Sequence, residues 1–315
     1  MPDAAAIIAR DLVRSFPGVK AVDRLSFEVN YGEIFGLVGP DGAGKTTTMR
    51  ILAGVLLPDA GSAQVAGFDV VHEAEQVKQR ISYMSQRFGL YEDLTVDENI
   101  QFYASIYGVT RALCRERSGR LLQAADMSQF RTRLAGKLSG GMKQKLGLIC
   151  ALIHTPRVLL LDEPTNGVDP VSRRDFWKIL YSLLEEGVAI LASTAYLDEA
   201  ERCHRVALMH QGHLLFCDQP DALKAKLSNR VISISTPDPR GVRTAIEKLP
   251  EVRNVVLVGD GVHLFVDDAA RMISGLRASM DAAKVSYASV DAVTATMEDV
   301  FVNAVEREAE VPHER

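Results

Sequence analysis

The sequence predicts an α/β protein in which a parallel sheet is combined with a further β-rich part and a helical part, followed by a small α+β domain. Three observations predict it. An apolar run at 34–38 (IFGLV) enters the glycine-rich turn GPDGAGKTT at 39–47, which opens a helix. A second apolar run at 158–161 (VLLL) ends in two acids, Asp162 and Glu163, as a strand buried on both faces would. After residue 227 strand-like and helix-like stretches follow in the order βαββαβ, the pattern of a ferredoxin-like domain.

The elements follow in chain order. Short β-like runs at 6–12, 25–29, 34–38 and 62–65, punctuated by Gly and Pro, flank the helix that begins at Lys45. From 96 to about 137 the spacing is helical, with Ile100, Tyr103, Ile106 and Tyr107 expected on one face and Leu121, Leu122 and Ala125 on another. The chain then returns to strand (158–161), helix (171–185) and strand (188–192), which is the alternation of a parallel sheet. MHQGHL at 209–214 reads as two strands joined at Gln211-Gly212, rather than as a metal pair of His210 and His213. Beyond 227 the expected elements are a strand at 231–235, a helix at 243–248, strands at 252–258 and 262–266, a helix at 269–282 and a strand at 285–289. The charged tail VEREAEVPHER is expected to be disordered.

Composition narrows the function. The 315 residues and 47% apolar content allow more than one core. A net charge of −5 and a pI near 5.9 offer no basic field for nucleic acid, so none is expected as a partner. Cys114, Cys150, Cys203 and Cys217 form no CxxC pair and read as buried free thiols of a reducing compartment. The start MPDAAAIIARDL lacks the basic and long apolar regions of a signal peptide, and no run approaches the ~18 apolar residues of a membrane span. Work at a membrane would therefore require docking on another subunit.

The chemistry lies in three strings. A glycine-rich turn between strand and helix aims backbone N–H groups and the positive helix end at one spot, which suits a triphosphate. Gly39, Gly42 and Gly44 allow close approach, Lys45 reaches the β- and γ-phosphates, and the Thr46 hydroxyl is placed to ligate Mg²⁺. Asp162 sits where it can hold the same Mg²⁺, and Glu163, one residue on, can polarise an attacking water. In LSGGMKQ at 138–144, Ser139 reads as an N-cap and Gly140 and Gly141 as exposers of backbone donors, ahead of an apolar face of Leu146, Ile149, Cys150 and Ile153. Two phosphate-binding helix starts exceed the needs of one ATP. A head-to-tail dimer, with each chain lending its second start to the partner, resolves the surplus.

With these residues in place the chain resembles the ATP-binding cassette (ABC) transporter ATPases over about 6–225. The resemblance implies a P-loop NTPase (RecA-like) core with an antiparallel β subdomain and a helical subdomain at about 90–137. Together these form a cassette of residues 1–227, followed by an accessory domain at 228–315. It implies that the whole turn of Gly39, Pro40, Asp41, Gly42, Ala43, Gly44, Lys45, Thr46 and Thr47 binds ATP, with Phe16 stacked on adenine. Gln86 stands where the family's glutamine meets Mg²⁺ or water and senses the membrane subunit; Asp169 stands in the loop that crosses the dimer interface. Glu163, Lys45 and Gln86 would carry catalysis, and Thr46, Gln86 and Asp162 would hold Mg²⁺. Integral membrane permease subunits and a second ABC ATPase chain would be the partners, at the cytoplasmic face of the inner membrane.

At one position the pattern breaks. The family's histidine that contacts the γ-phosphate is replaced here by Ala195, in STAYLDEA at 193–200. Loss of one donor to a transferring phosphoryl group costs about 3 kcal/mol unless Thr194 or Tyr196 replaces it. The C-terminal addition, ending in ATMEDVF at 295–301, resembles drug and antibiotic exporter ATPases, and GPDGAGKTT with FGLYEDLTVDEN resembles the first half of tandem-cassette exporters. An exporter motor is the expected function. A regulatory, mainly ATP-binding subunit of a heterodimeric pair is one alternative, against which the retained Glu163 argues. A soluble cassette protein is another, disfavoured by the acidic balance.

Overall fold

The computed structural model describes residues 5–310 apart from 87, 88, 248, 250 and 260, the side chains of 307–310 excepted. Its contacts divide the chain between Cys217 and Asp218. Sequence texture puts the boundary at 227/228; the difference arises because the helix Pro220–Ala225 packs on the C-terminal helix Met297–Glu310.

The first unit holds β1 (Ala5–Phe16), β2 (Val19–Asn30), β3 (Ile34–Val38), α1 (Lys45–Leu52), β4 (Ala60–Val65), β5 (Phe68–Asp69), α2 (Ala74–Lys78) and β6 (Ile81–Met84). It continues with α3 (Val96–Ile106), α4 (Arg111–Ala124), α5 (Gly140–Leu152), β7 (Val158–Asp162), α6 (Pro170–Leu184), β8 (Ala189–Thr194), α7 (Leu197–Ala200), β9 (Arg205–His210) and β10 (His213–Asp218). One sheet, of order β2-β1-β4-β5, is antiparallel; the other has order β10-β9-β3-β8-β7-β6, and its β9, β3, β8, β7 and β6 run parallel. Every residue of β3 and of β7 is buried, as their unbroken apolar runs require. Register decides where the chemistry falls. Val38 pairs with Thr194, Asp162 with Ser193 and Met84 with Leu161, so β3, β6, β7 and β8 end together along one edge. In open α/β sheets that carboxyl edge is where ligands bind.

The helical part begins with a capping box, in which Thr95 Oγ1 accepts from the Glu98 N–H and Glu98 Oε2 accepts from the Thr95 N–H. The apolar face expected for α3 needs correcting at Ile106 and at Tyr107, which follows the helix end and is 39% exposed. Val96, Ile100 and Ala104 are buried, but Ile106 is 59% exposed, because at 100° per residue it projects about 120° away from Ile100.

The second unit holds α8 (Pro220–Ala225), β11 (Val231–Ser235), α9 (Pro239–Ile246), β12 (Val252–Val258), β13 (Gly261–Val266), α10 (Ala269–Ala282), β14 (Ser289–Ala292) and α11 (Met297–Glu310). The order β12-β13-β11-β14, antiparallel throughout, is the one a βαββαβ chain gives. Three expectations shift. Helix α9 starts before 243, because Asp238 caps the Gly241 N–H and Pro239 occupies the first helical position, where its missing N–H costs nothing. The last strand is Ser289–Ala292 rather than 285–289; Val285 and Tyr287 instead pack against the apolar core from the loop before it. The tail expected to be disordered is helical through Glu310, as part of α11, and its remainder, 311–315, lies outside the described residues.

Candidate functional site

The turn after β3 can form only with glycine at key places. A Cβ at Gly39 would lie 2.3 Å from the Met209 carbonyl oxygen, and one at Gly44, whose φ is +103°, would lie 2.1 Å from that of Ala21. Gly44 precedes α1 with no side-chain cap, so the helix start faces the turn with its backbone donors. Lys45 is 4% exposed. Its Nζ donates to the carbonyls of Gly39 (2.8 Å) and Pro40 (3.0 Å) and pairs with Glu163 Oε1 at 3.1 Å.

Asp162 ends β7, 1% exposed. Its Oδ1 accepts from Thr46 Oγ1 (3.0 Å) and Ser193 Oγ (2.8 Å), and its Oδ2 from the Tyr83 hydroxyl (3.1 Å). Burial, then the Asp162 charge beside it, pushes Tyr83 up to about 12, so it remains a donor across the working pH range. Glu163 follows with φ +49°, a left-handed conformation costing a non-glycine residue about 1–2 kcal/mol. The turn is tied down by its N–H, which donates to Ser193 Oγ at 3.0 Å. Its Oε2 accepts from Gln86 Nε2 (3.1 Å) and Asn166 Nδ2 (3.3 Å).

A cavity of about 450 Å³ is lined by Phe16, Asp41, Gly42, Ala43, Gly44, Lys45, Thr46, Thr47, Gln86 and Glu163, with Val19 and Ala21. Phe16 is 42% exposed and the Arg14 guanidinium lies 5.0 Å from its ring centroid. A smaller pocket of about 130 Å³ adjoins Glu163 and is lined by Asp41, Thr165, Asn166, Thr194, Ala195 and Tyr196. The Thr46 hydroxyl and Asp162 carboxylate, hydrogen-bonded to each other, form an oxygen donor pair of the kind Mg²⁺ accepts when phosphate oxygens and water complete its shell. Among the described residues no three of His, Cys, Asp or Glu gather into a metal cage.

Ser139, Gly140 and Gly141 line neither cavity. Ser139 Oγ accepts from the Met142 N–H at 3.3 Å, and Gly140 opens α5 with open space around it. Gly141 has a packing role too, since a Cβ there would lie 2.4 Å from Ser172 Cβ. Asp169 caps α6, accepting from the Val171 and Ser172 N–H groups, and the Ser172 N–H and side chain lower its pKa.

Ser193, Tyr83, Asn166 and Glu199 were not singled out by sequence. Glu199 is 1% exposed and accepts from the Thr165 (2.6 Å) and Thr194 (2.8 Å) hydroxyls, with Arg173 Nε at 3.4 Å. His204 is an exposed residue whose Nδ1 accepts from the Ile34 N–H. His210 and His213 lie in β9 and β10 on either side of the Gln211-Gly212 turn, both turn residues with positive φ. Cys114, Cys150 and Cys203 are buried free thiols and Cys217 is partly buried.

Residues 22–166 match the family model described as ABC transporter. The chain is 47% identical over 271 residues to the probable multidrug ABC transporter ATP-binding protein YbhF of Escherichia coli K12, covering 84% of this chain and 47% of that protein. It thus spans about half the length of that relative. To the Nod factor export ATP-binding protein I of Paraburkholderia xenovorans it is 38% identical over 311 residues, covering 98% of this chain and 99% of the other. Among solved structures, an ATP-binding subunit of an ABC transporter superposes with a TM-score of 0.64 at 27% identity, over 70% of this chain and 92% of that one.

Proposed function

The chain belongs to the ABC transporter ATP-binding family, and we propose that it binds and hydrolyses Mg-ATP to drive export through separate membrane permease subunits. The observation that carries this is the convergence, on one sheet edge, of Lys45 and Gln86 on Glu163 and of Thr46 on Asp162, facing the cavity beneath Phe16. Triphosphate lies along the turn of residues 39–47, with adenine against Phe16. Lys45 exchanges its carbonyl and Glu163 partners for the β- and γ-phosphates. Thr46, Asp162 and Gln86 would hold Mg²⁺, which would supply charge neutralisation on the phosphoryl oxygens. Glu163, released by Lys45, orients and polarises the attacking water.

Ser139, Gly140 and Gly141, which line neither cavity of their own chain, serve the nucleotide of a second cassette chain, and Asp169 lies at the same interface. Among the described residues no helix is long and apolar enough to cross a membrane. The names of the relatives, ATP-binding proteins of transporters and of export systems, support work at the membrane through a permease, at its cytoplasmic face. Export of drugs or related compounds is supported by the names of the relatives. Ala195 favours a second reading, in which the chain mainly binds ATP and a partner cassette hydrolyses it.

Steady-state Mg-ATP hydrolysis by the parent, Glu163→Gln and Ala195→His proteins tests the choice. Turnover in the parent that falls by about 10²- to 10⁴-fold in Glu163→Gln supports the motor. A silent parent that gains turnover in Ala195→His supports the binding subunit.

A further inference from the structure

Glu163 is gripped from three directions, by Lys45 on Oε1 and by the Gln86 and Asn166 amides on Oε2. The Asn166 grip depends on which way round its amide lies. With NH₂ toward Glu163 it donates; reversed, it would set a carbonyl oxygen against a carboxylate. The carboxylate, which can only accept, sets that direction, and the Tyr196 hydroxyl secures it by donating to Asn166 Oδ1 at 3.3 Å.

Tyr196 is itself anchored. Its N–H donates to Thr194 Oγ1 at 2.9 Å, and the Arg173 guanidinium, 3.4 Å from Glu199, lies 4.5 Å from its ring centroid. Of the two side chains flanking residue 195, Thr194 is committed, since its buried hydroxyl donates to Glu199. Both Tyr196 and Asn166 line the pocket that adjoins Glu163, where Ala195 contributes only a methyl group.

Building on the proposed hydrolytic role of Glu163, we propose that Tyr196 and Asn166 form a positioning relay that holds this carboxylate in its working orientation at a site whose residue 195 offers no side-chain donor. Tyr196 acts through Asn166 and does not touch the reacting atoms. The relay offsets part of the missing imidazole: it cannot donate to the γ-phosphate, but it reduces the freedom of the group that aims the water.

Steady-state ATP hydrolysis by the full chain tests it, with Tyr196→Phe, Asn166→Ala, the double variant, and Tyr196→Phe combined with Ala195→His. The expected result is a kcat about tenfold lower in each single variant, the size of one neutral hydrogen bond, with the KM for ATP unchanged. The double variant should be no worse than Asn166→Ala, because both changes cut one chain of contacts. Ala195→His should restore most of the turnover lost in Tyr196→Phe. Unchanged kcat in both single variants, alongside turnover that Glu163→Gln abolishes, overturns the relay and leaves the hydrolytic reading standing. So does a kcat loss that follows thermal destabilisation of the variants. A parent with no Glu163-dependent turnover overturns both.

Discussion

Asp162 and Asp299 are both buried carboxylates, 1% and 2% exposed, one in each unit, and their surroundings differ in kind. Asp162 is met by three hydroxyls, those of Thr46, Ser193 and Tyr83, contributed by three separate elements at a sheet edge that opens on a cavity. Asp299 is met by His263 Nδ1 at 2.8 Å, by the Thr296 N–H at 2.8 Å and by the Thr296 hydroxyl at 2.9 Å, a closed set that starts α11 and ties it to β13. A hydroxyl is a weak, rotatable partner for a buried anion. An imidazole with a backbone N–H is a strong and fixed one. On the proposed function the first acid would receive a metal ion, whereas the second is satisfied by protein groups, so the same residue type would be a ligand in one unit and is a fastener in the other.

The comparison is broken most easily at Asp162. Asp162→Asn keeps an acceptor for the hydroxyls but removes the charge that would hold Mg²⁺. Mg-dependent ATP hydrolysis should fall by about 10²- to 10³-fold, with the urea midpoint shifted little. An equally active Asp162→Asn protein would remove the metal from this carboxylate.

Asp299→Ala should do the reverse. It strips the helix-start acceptor from α11 and leaves His263 half-buried without its partner, at a cost of about 2–3 kcal/mol. Hydrogen exchange across β13 and α11 should accelerate while hydrolysis is retained. Loss of hydrolysis without faster exchange would erase the distinction between the two acids.

Ser193→Ala sharpens the contrast at smaller cost. One of three hydroxyl donors to Asp162 goes, and the Glu163 N–H keeps the Ser193 carbonyl at 3.2 Å, so chemical denaturation should register a loss of about 1 kcal/mol. A much larger loss would mean that Asp162 depends on its hydroxyls as Asp299 depends on its imidazole.

How much of this was legible in the sequence follows from the range of each interaction. The turn at 39–47 and the acids at 162–163 declare themselves locally, because a buried parallel strand is an unbroken apolar run and the phosphate turn needs glycine at fixed places. Ser193 and Tyr83 carry no local signal. They reach Asp162 only because β8 and β6 flank β7 in register, an order of strands that no single stretch encodes. Glu199 carries no local signal either, since it lies buried in α7 through the hydroxyls of Thr165 and Thr194, two residues far apart in the chain. In the second unit the strand order is legible from βαββαβ, but the alternation of Val285 and Tyr287 reads as a strand because it marks burial, which a loop can also supply.

The smallest effect expected is the pH response of the Asp299 fastener. The Asp299 carboxylate holds His263 above the usual imidazole value, by hydrogen bond and then by charge against the opposing effect of burial. Asp299 lies below the usual carboxylate value, since the His263 and Thr296 hydrogen bonds outweigh the burial that would raise it. The raised imidazole contributes stability that is complete below its unfolded pKa of about 6.5 and fades as pH rises through the folded value. The depressed carboxylate contributes stability that is complete above its unfolded pKa of about 3.9 and fades as pH falls through its folded value. The two windows overlap between about pH 4 and 6.5, so protection of β13 and α11 against exchange, corrected for intrinsic rate, should be greatest there and decline toward pH 8. His263→Gln should flatten the decline on the alkaline side. A parent whose protection keeps rising from pH 5 to 8 would mean that the imidazole is held neutral against Asp299, and the contrast with Asp162 would then rest on geometry alone.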